Sequence, residues 1–307
     1  MADGSKIVWT EYTLNAIVGC SKKSEGCRNC YAIGEAWRMK NNHVLGTGEN
    51  NPYSSIVNRM DQNSSAIGWT GKIHFIPERL ASIVNKRDSR LVFVNSLSDL
   101  FHESLADDVI FQHFFAFSSA PQHQFQILTK RSARLLKMSS RIDWPDNVWQ
   151  GVTVEHPSQE HRIRDLASTG ARIKWVSFEP LLSGPKPLHD IWPNLRNLIA
   201  EAGIHWVVVG GESSKSKDVA RYMRLEDARY VLEECAAAGA KTLLKQLGTR
   251  WAVASGTYAT RINGKIAKEV RVGALRELWP NDLRQPAFFA YPDVKWKSMS
   301  RVRHQLQ

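Results

Sequence analysis

Leu91-Val92-Phe93-Val94-Asn95-Ser96-Leu97-Ser98-Asp99 is the stretch that decides how this chain folds. Four apolar residues in a row, with no polar residue interleaved, read as a strand buried on both faces. That is the mark of a parallel sheet covered by helices. The polar residues that follow place Asn95, Ser98 and Asp99 at the strand's C-terminal end. The same signature recurs at Lys72 to Ile76, Phe125 to Leu128, Val148 to Val154, Ile173 to Phe178, Trp206 to Val209 and Lys241 to Lys245. Amphipathic stretches separate the runs, at Asp107 to Ser118, Ser132 to Met138, Gln159 to Ser168 and Leu225 to Ala238. This alternation predicts βαβ units. A first strand within Thr13 to Val18 brings the expected count to about eight. The expected fold is therefore α/β, a (β/α) barrel, complete or nearly complete and TIM-like, over residues 1–248. Residues 249–307 are expected to form a basic C-terminal extension packed on it, with Asn263-Gly264 as a candidate hairpin turn. Asn41 to Gly71 is rich in Asn, Ser and Gly and lacks periodicity. It is expected to be a long loop, either over the site or simply between elements.

Three of the four cysteines fall in one loop just after the first strand, Cys20-Ser-Lys-Lys-Ser-Glu-Gly-Cys27-Arg-Asn-Cys30, with six residues and then two between them. Gly19 and Gly26 would allow tight turns beside the first two sulfurs. Three thiolates can fill three corners of a zinc site or bind three irons of a [4Fe–4S] cluster, leaving one position open. Lys22, Lys23 and Arg28 would lower the thiolate pKa values and offset an anionic cluster. Two blander readings stand beside this one: unremarkable reduced thiols, or a structural zinc completed by His43 or another distant ligand. Cys235, inside a helical pattern, reads as a buried small hydrophobe.

Polar residues follow every expected strand, among them Asp99, Lys130-Arg131, Glu155, Glu179, Gly210-Gly211-Glu212-Ser213 and Lys245-Gln246. In a parallel barrel these ends share the face where active sites lie, so Asp99, Lys130, Glu155 and Glu179 become candidate catalytic residues. Each acid can equally be a helix cap or an N-terminal acid favoured by the macrodipole. Lys130 and Arg131 read as anion ligands or as the start of a solvated basic helix. Gly210-Gly211 suggests close approach of backbone to a ligand.

Composition frames the partners. The chain has 307 residues, 43% of them hydrophobic, and a formal net charge of +11. No apolar run approaches the ~18–20 residues of a membrane span, so no membrane partner is expected. The N-terminus lacks a secretory h-region and the cysteines form no disulfide framework, which predicts a cytoplasmic protein. The basic balance fits DNA or RNA as partner. Lys295-Trp296-Lys297 and Arg301-Val302-Arg303-His304 interleave base and aromatic as phosphate contact with stacking would require, or form a solvated basic tail. Trp149, Trp175 and Trp206 lie on or near strands and read as core.

The segments Ile7-Val8-Trp9-Thr10-Glu11, Asn15-Ala16-Ile17-Val18-Gly19-Cys20 and Ser24-Glu25-Gly26-Cys27-Arg28-Asn29-Cys30-Tyr31-Ala32 resemble the three-Cys-motif phage-protein family, whose function is uncharacterised. Ser96 to Glu103, Leu128 to Arg131, Val148 to Glu155, Ser177 to Leu182 and Val209 to Ser213 look like its later motifs in the same order, so the resemblance covers Lys6 to Gly248. That family is similar to radical S-adenosylmethionine enzymes and, distantly, to spore photoproduct lyase, which repairs DNA. The resemblance implies a [4Fe–4S] cluster on Cys20, Cys27 and Cys30, with Tyr31 beside it and S-adenosylmethionine on the open iron. The cofactor would be cleaved to a 5′-deoxyadenosyl radical with an electron from a separate donor. Gly210, Gly211, Glu212 and Ser213 become cofactor-binding candidates, with Glu155 and Glu179 able to bind the methionyl amine or ribose. Two departures stand out: the common spacing has three residues between the first two cysteines, and the Gly-Gly-Glu triplet usually follows the second strand. The function so implied is modification or repair of nucleic acid or a nucleotide-like substrate. The alternative is a non-catalytic nucleic-acid-binding protein stabilised by an iron–sulfur cluster or zinc.

Overall fold

The structure, a computed structural model, describes residues 5, 7–61, 65–214, 217–260, 268–271 and 273–292. Its strands are β1 Tyr12–Leu14, β2 Ile17–Val18, β3 Val57–Arg59, β4 Ile67–Trp69, β5 His74–Phe75, β6 Leu91–Val94, β7 Gln124–Thr129, β8 Val148–Thr153, β9 Ile173–Phe178, β10 Trp206–Gly210 and β11 Lys241–Gln246. The α-helices are α1 Tyr31–Lys40, α2 Pro77–Val84, α3 Asp107–Ser118, α4 Ser132–Ser139, α5 His161–Ala167, α6 Leu188–Ile191, α7 Leu195–Glu201, α8 Leu225–Ala237, α9 Thr249–Ala254 and α10 Lys268–Arg271.

Seven strands share one sheet, in the order β1-β6-β7-β8-β9-β10-β11. Thr13 stands opposite Phe93, Phe93 opposite Gln126, and Trp206 opposite both Trp175 and Lys241, all in parallel register. Every residue of β6, β8 and β10 is buried, as strands covered on both faces must be. The strand order has two ends, so the fold is mixed α/β with an open parallel sheet and not a complete barrel. The expected first strand divides. Tyr12–Leu14 joins the sheet, whereas Ile17–Val18 pairs antiparallel with His74–Phe75 outside it. Lys72 to Ile76 thus supplies a side strand of two residues, because His74 is exposed, Phe75 only half buried, and Pro77 opens α2 at once.

The chain gathers into two units. The first comprises the chain up to Gly151 together with Thr169–Ile173. In it Phe117 of α3 stacks on Phe125 of β7, with ring centroids 4.3 Å apart, and Phe114 meets Trp144 edge-on at 5.1 Å. Asn41 to Gly71 is not the loop that its composition suggests. It carries the β3-β4 hairpin, and its Tyr53, Ile56 and Val57 pack with Val18 and with Ala32, Ile33 and Ala36 around α1.

The second unit comprises Val152–Ser168 and the described chain from Lys174 onward. Helix α8 buries Ala228, Val231, Leu232 and Cys235, and Trp206 lies between Trp175 and Tyr291, at 5.3 and 5.2 Å. Trp175 and Trp206 are fully buried here, as Trp149 nearly is in the first unit. Phe289 and Ala290, beyond Gly248, dock on β11 and its neighbour β10. Leu243 bridges Phe289, Ala290 N–H donates to the Thr242 carbonyl, and Trp206 Nε1 donates to the Ala290 carbonyl. Asn263-Gly264, Lys295-Trp296-Lys297 and Arg301 to His304 lie outside the described residues. Among the described residues no helix is long and apolar enough to cross a membrane.

Candidate metal centre

The cysteine loop leaves β2 through Gly19, whose φ of +98° is costly for any residue with a Cβ. A Cβ there would also sit 2.2 Å from the Lys72 carbonyl oxygen. Gly19 N–H donates to the Leu97 carbonyl at 3.1 Å and Gly19 bridges Ser98, so the loop starts beside the polar end of β6. Gly26 takes no positive φ. Glu25–Cys27 forms one 3₁₀ turn, and Cys30 caps α1. Tyr31, half exposed, donates its hydroxyl to the Ser96 carbonyl at 3.3 Å.

Residues distant in sequence hold this loop. Arg131, at the end of β7, points its guanidinium at Asp99 Oδ2 (3.1 Å), Glu103 Oε2 (2.6 Å), the Ser21 carbonyl (3.1 Å) and Ser21 Oγ (2.9 Å). Its Nη1 stands 3.9 Å from Cys20 Sγ. His102 meets Ser21 Oγ at 2.8 Å through Nε2, while its Nδ1 accepts from Ser104 N–H, which makes Nε2 the donor of the neutral ring. Burial, then Arg131, lowers the His102 pKa and favours that neutral ring. Lys23 on the loop pairs with Glu103 at 2.7 Å. Burial works against the Glu103 charge, but hydrogen bonds from Lys23 and Arg131 outweigh it and hold its pKa near 2. Asp99 accepts from Phe101 N–H, Thr129 Oγ1, Lys130 N–H and Arg131, so both its oxygens are engaged within the protein.

The electrostatics of the sulfurs differ from the sequence expectation. Burial pushes the Cys20 thiol up to about 12, with Asp99 and the other two cysteines adding to it and Arg131 opposing. Burial likewise raises Cys30, Lys130 opposes, and Cys27 adds. Two of the three cations expected to lower the thiols are engaged elsewhere, Lys23 by Glu103 and Arg28 by Glu25. The cations that oppose the rise of Cys20 and Cys30, Arg131 and Lys130, come from the end of β7. All three cysteines are free; Cys27 and Cys30 raise Cys20, and Cys27 raises Cys30, a donor set whose chemistry fits a cationic metal or an iron–sulfur cluster. Cys20 and Cys30, hard to ionise as free thiols, would be ionised by the metal itself. The sulfurs are not gathered on one centre, for among the described residues no three His, Cys, Asp or Glu side chains form a ready metal-binding group. His43 stands in a 3₁₀ turn beyond α1 and joins none.

The second unit holds the other candidate acids, and each has a cation. Glu155 and Arg162 form a sealed pair at 2.9 Å, both side chains 3% exposed or less. Glu212 is buried and clasped by Arg221 through backbone N–H, Nε and Nη2. Glu179 lies 2.8 Å from Lys245 Nζ and accepts from Ser177 Oγ at 3.3 Å. It is the most open of the three, at 14% exposed. The room left by Gly210 and Gly211 is taken by protein atoms. A Cβ would meet Glu179 Oε1 at 2.8 Å in the first case and the Leu247 carbonyl at 2.4 Å in the second. Ser213 Oγ is engaged by Gln246 Nε2.

His102 and Glu103 were not separable as site residues in the sequence, and neither were Arg162 and Arg221 as partners of the acids; Arg131 stood out only as an anion ligand or helix start, and Lys245 only as a polar residue at a strand end. Arg131, His102, Glu103 and Lys245 lie at or just after the ends of strands, whereas Arg162 lies on α5.

The family described as "Protein of unknown function (DUF5131)" matches residues 4–287. No curated protein matches the chain. Among solved structures, a mutant of spore photoproduct lyase is similar at a TM-score of 0.42 and 11% identity, over 76% of this chain and 63% of that one.

Proposed function

The chain belongs to that family of proteins of unknown function, and we propose that it is an iron–sulfur enzyme of the radical S-adenosylmethionine type, acting on nucleic acid or a nucleotide-like substrate. The observation that carries this reading is the set of three free thiols, Cys20, Cys27 and Cys30, on one loop. Cys20, Cys27 and Cys30 would hold the cluster. When bound, a cluster on three cysteines supplies one-electron chemistry and an iron with an open position.

The chain's own residues prepare the place. Cys30 packs on the cluster of Val18, Ala32, Ile33, Ala36 and Ile56, which keeps water from one side of the loop. Arg131 fixes Ser21 next to Cys20, and Lys130 favours the charged form of Cys30. In the second unit the partly open Glu179 and Lys245 offer opposite charges 2.8 Å apart, which suits a ligand carrying both an amine and a carboxylate. A net charge of +11 supports an anionic substrate, and binding to DNA or RNA should then weaken steeply with salt. A non-catalytic nucleic-acid-binding protein held together by metal is the second reading. The sealing of Glu155 and Glu212 in ion pairs favours it, since fewer groups remain for chemistry.

The test is electron paramagnetic resonance of the anaerobically reconstituted, dithionite-reduced protein before and after addition of S-adenosylmethionine. A changed signal with release of methionine supports the radical enzyme. A cluster signal indifferent to the addition, with no methionine released, contradicts it.

A further inference from the structure

A buried charge is costly unless it is paired and hydrogen-bonded, and the Arg131 side chain is 3% exposed. Among the described residues, the partners of its guanidinium lie in two places. Ser21 and Cys20 belong to the cysteine loop, and Asp99 and Glu103 belong to the turn after β6. Asp99 takes four donors on its two oxygens, which makes it an anchor for the guanidinium. Asp99 also orders the strand end that carries Arg131, by accepting from Thr129 Oγ1 at 2.7 Å and Lys130 N–H at 3.1 Å. Ser21 Oγ accepts from both Arg131 and His102, so the residue next to Cys20 is fixed from two sides. A planar fork with several donors does this; a lysine could carry the charge but not the geometry.

We propose that Arg131 is a positioning residue for whatever Cys20, Cys27 and Cys30 bind. It locks Ser21, and with it Cys20, and its charge, balanced by Asp99 and Glu103, sets the electric field at the Cys20 sulfur. This rests on the reading of the loop as an iron–sulfur site. A positive charge near the cluster stabilises the more negative, reduced form and raises the reduction potential. A negative charge lowers it.

The experiment compares the full chain with Arg131→Gln, Arg131→Lys and Glu103→Gln after anaerobic reconstitution. Iron and sulfide are counted, and the midpoint potential is read by a reductive titration with dithionite followed by electron paramagnetic resonance. Arg131→Gln should shift the potential to more negative values, Glu103→Gln should shift it to more positive values, and Arg131→Lys should stay nearer the wild type than Arg131→Gln. A side chain that merely stiffened the loop would move both neutralising variants the same way, and that result overturns the proposal, as does a potential that neither changes. Glu103 is half exposed, so its variant reports even where Arg131→Gln does not fold. There a positive shift supports the proposal and any other result overturns it. A wild type holding no iron and sulfide removes the iron–sulfur reading itself. A wild type with a cluster and unmoved variants removes the role of Arg131 alone.

Discussion

His113 shows how one side chain ties the fold to pH. It sits on α3 with no exposed surface, its Nδ1–H donating to the Val109 carbonyl at 2.7 Å, and Nε2 buried without a partner near Phe75 and Phe117. Burial drives its pKa from 6.5 down to about 4. Below pH 6.5 the unfolded chain therefore binds a proton that the folded chain refuses. This contribution to stability is complete above pH 6.5, falls as pH drops from 6.5 to about 4, and is level below that. Its size is about 3 kcal/mol by linkage. Replacing His113 with Phe should flatten that part of the profile, so urea melts of the two proteins should converge at pH 7 and diverge toward pH 4. Equal slopes for both would refute the assignment. Gly19 makes a second prediction at this scale. Gly19→Ala meets both a positive φ and the Lys72 carbonyl, and should cost about 2–3 kcal/mol in a denaturant melt. A loss under about 0.5 kcal/mol, the range of an ordinary surface substitution, would show that the loop relaxes freely.

Among the elements, what is local was legible and what is long-range was not. Asp107–Ser118 and Ile173–Phe178 have the bounds their sequence patterns predict, because a helix period of 3.6 and a fully apolar run are set by neighbours in the chain. The β3-β4 hairpin escaped notice, since three-residue strands carry too few residues for any period. Lys72 to Ile76 looked like the other apolar runs, and only pairing with Ile17–Val18 separates it from the sheet. The site divides in the same way. Cys20, Cys27 and Cys30 are neighbours in sequence and could be found by spacing. The contact of Arg131 with Ser21 spans 110 residues and depends on how β6 and β7 align. The packing of α3 on the sheet gives the element its own test. Phe117 is fully buried and stacks on Phe125, so Phe117→Ala should cost about 3–5 kcal/mol. A loss under 1 kcal/mol in a urea titration would mean that α3 does not depend on this contact.

At the scale of the whole molecule, an open seven-stranded parallel sheet carries polar groups at its strand ends, and the units divide them. The first unit holds the thiols with Arg131 and Asp99. The second holds Glu155, Glu179 and Glu212, each matched by a cation, with Glu179 the most exposed of the three acids. The central claim is that the thiols are there to bind iron and sulfide. Its most direct test is the iron, sulfide and zinc content per chain of the anaerobically purified protein, beside Cys27→Ala. The account predicts about four irons with matching sulfide in the wild type, and loss of most of both in the variant with its thermal unfolding largely unchanged. One zinc per chain without sulfide, or metal content indifferent to Cys27, would contradict it.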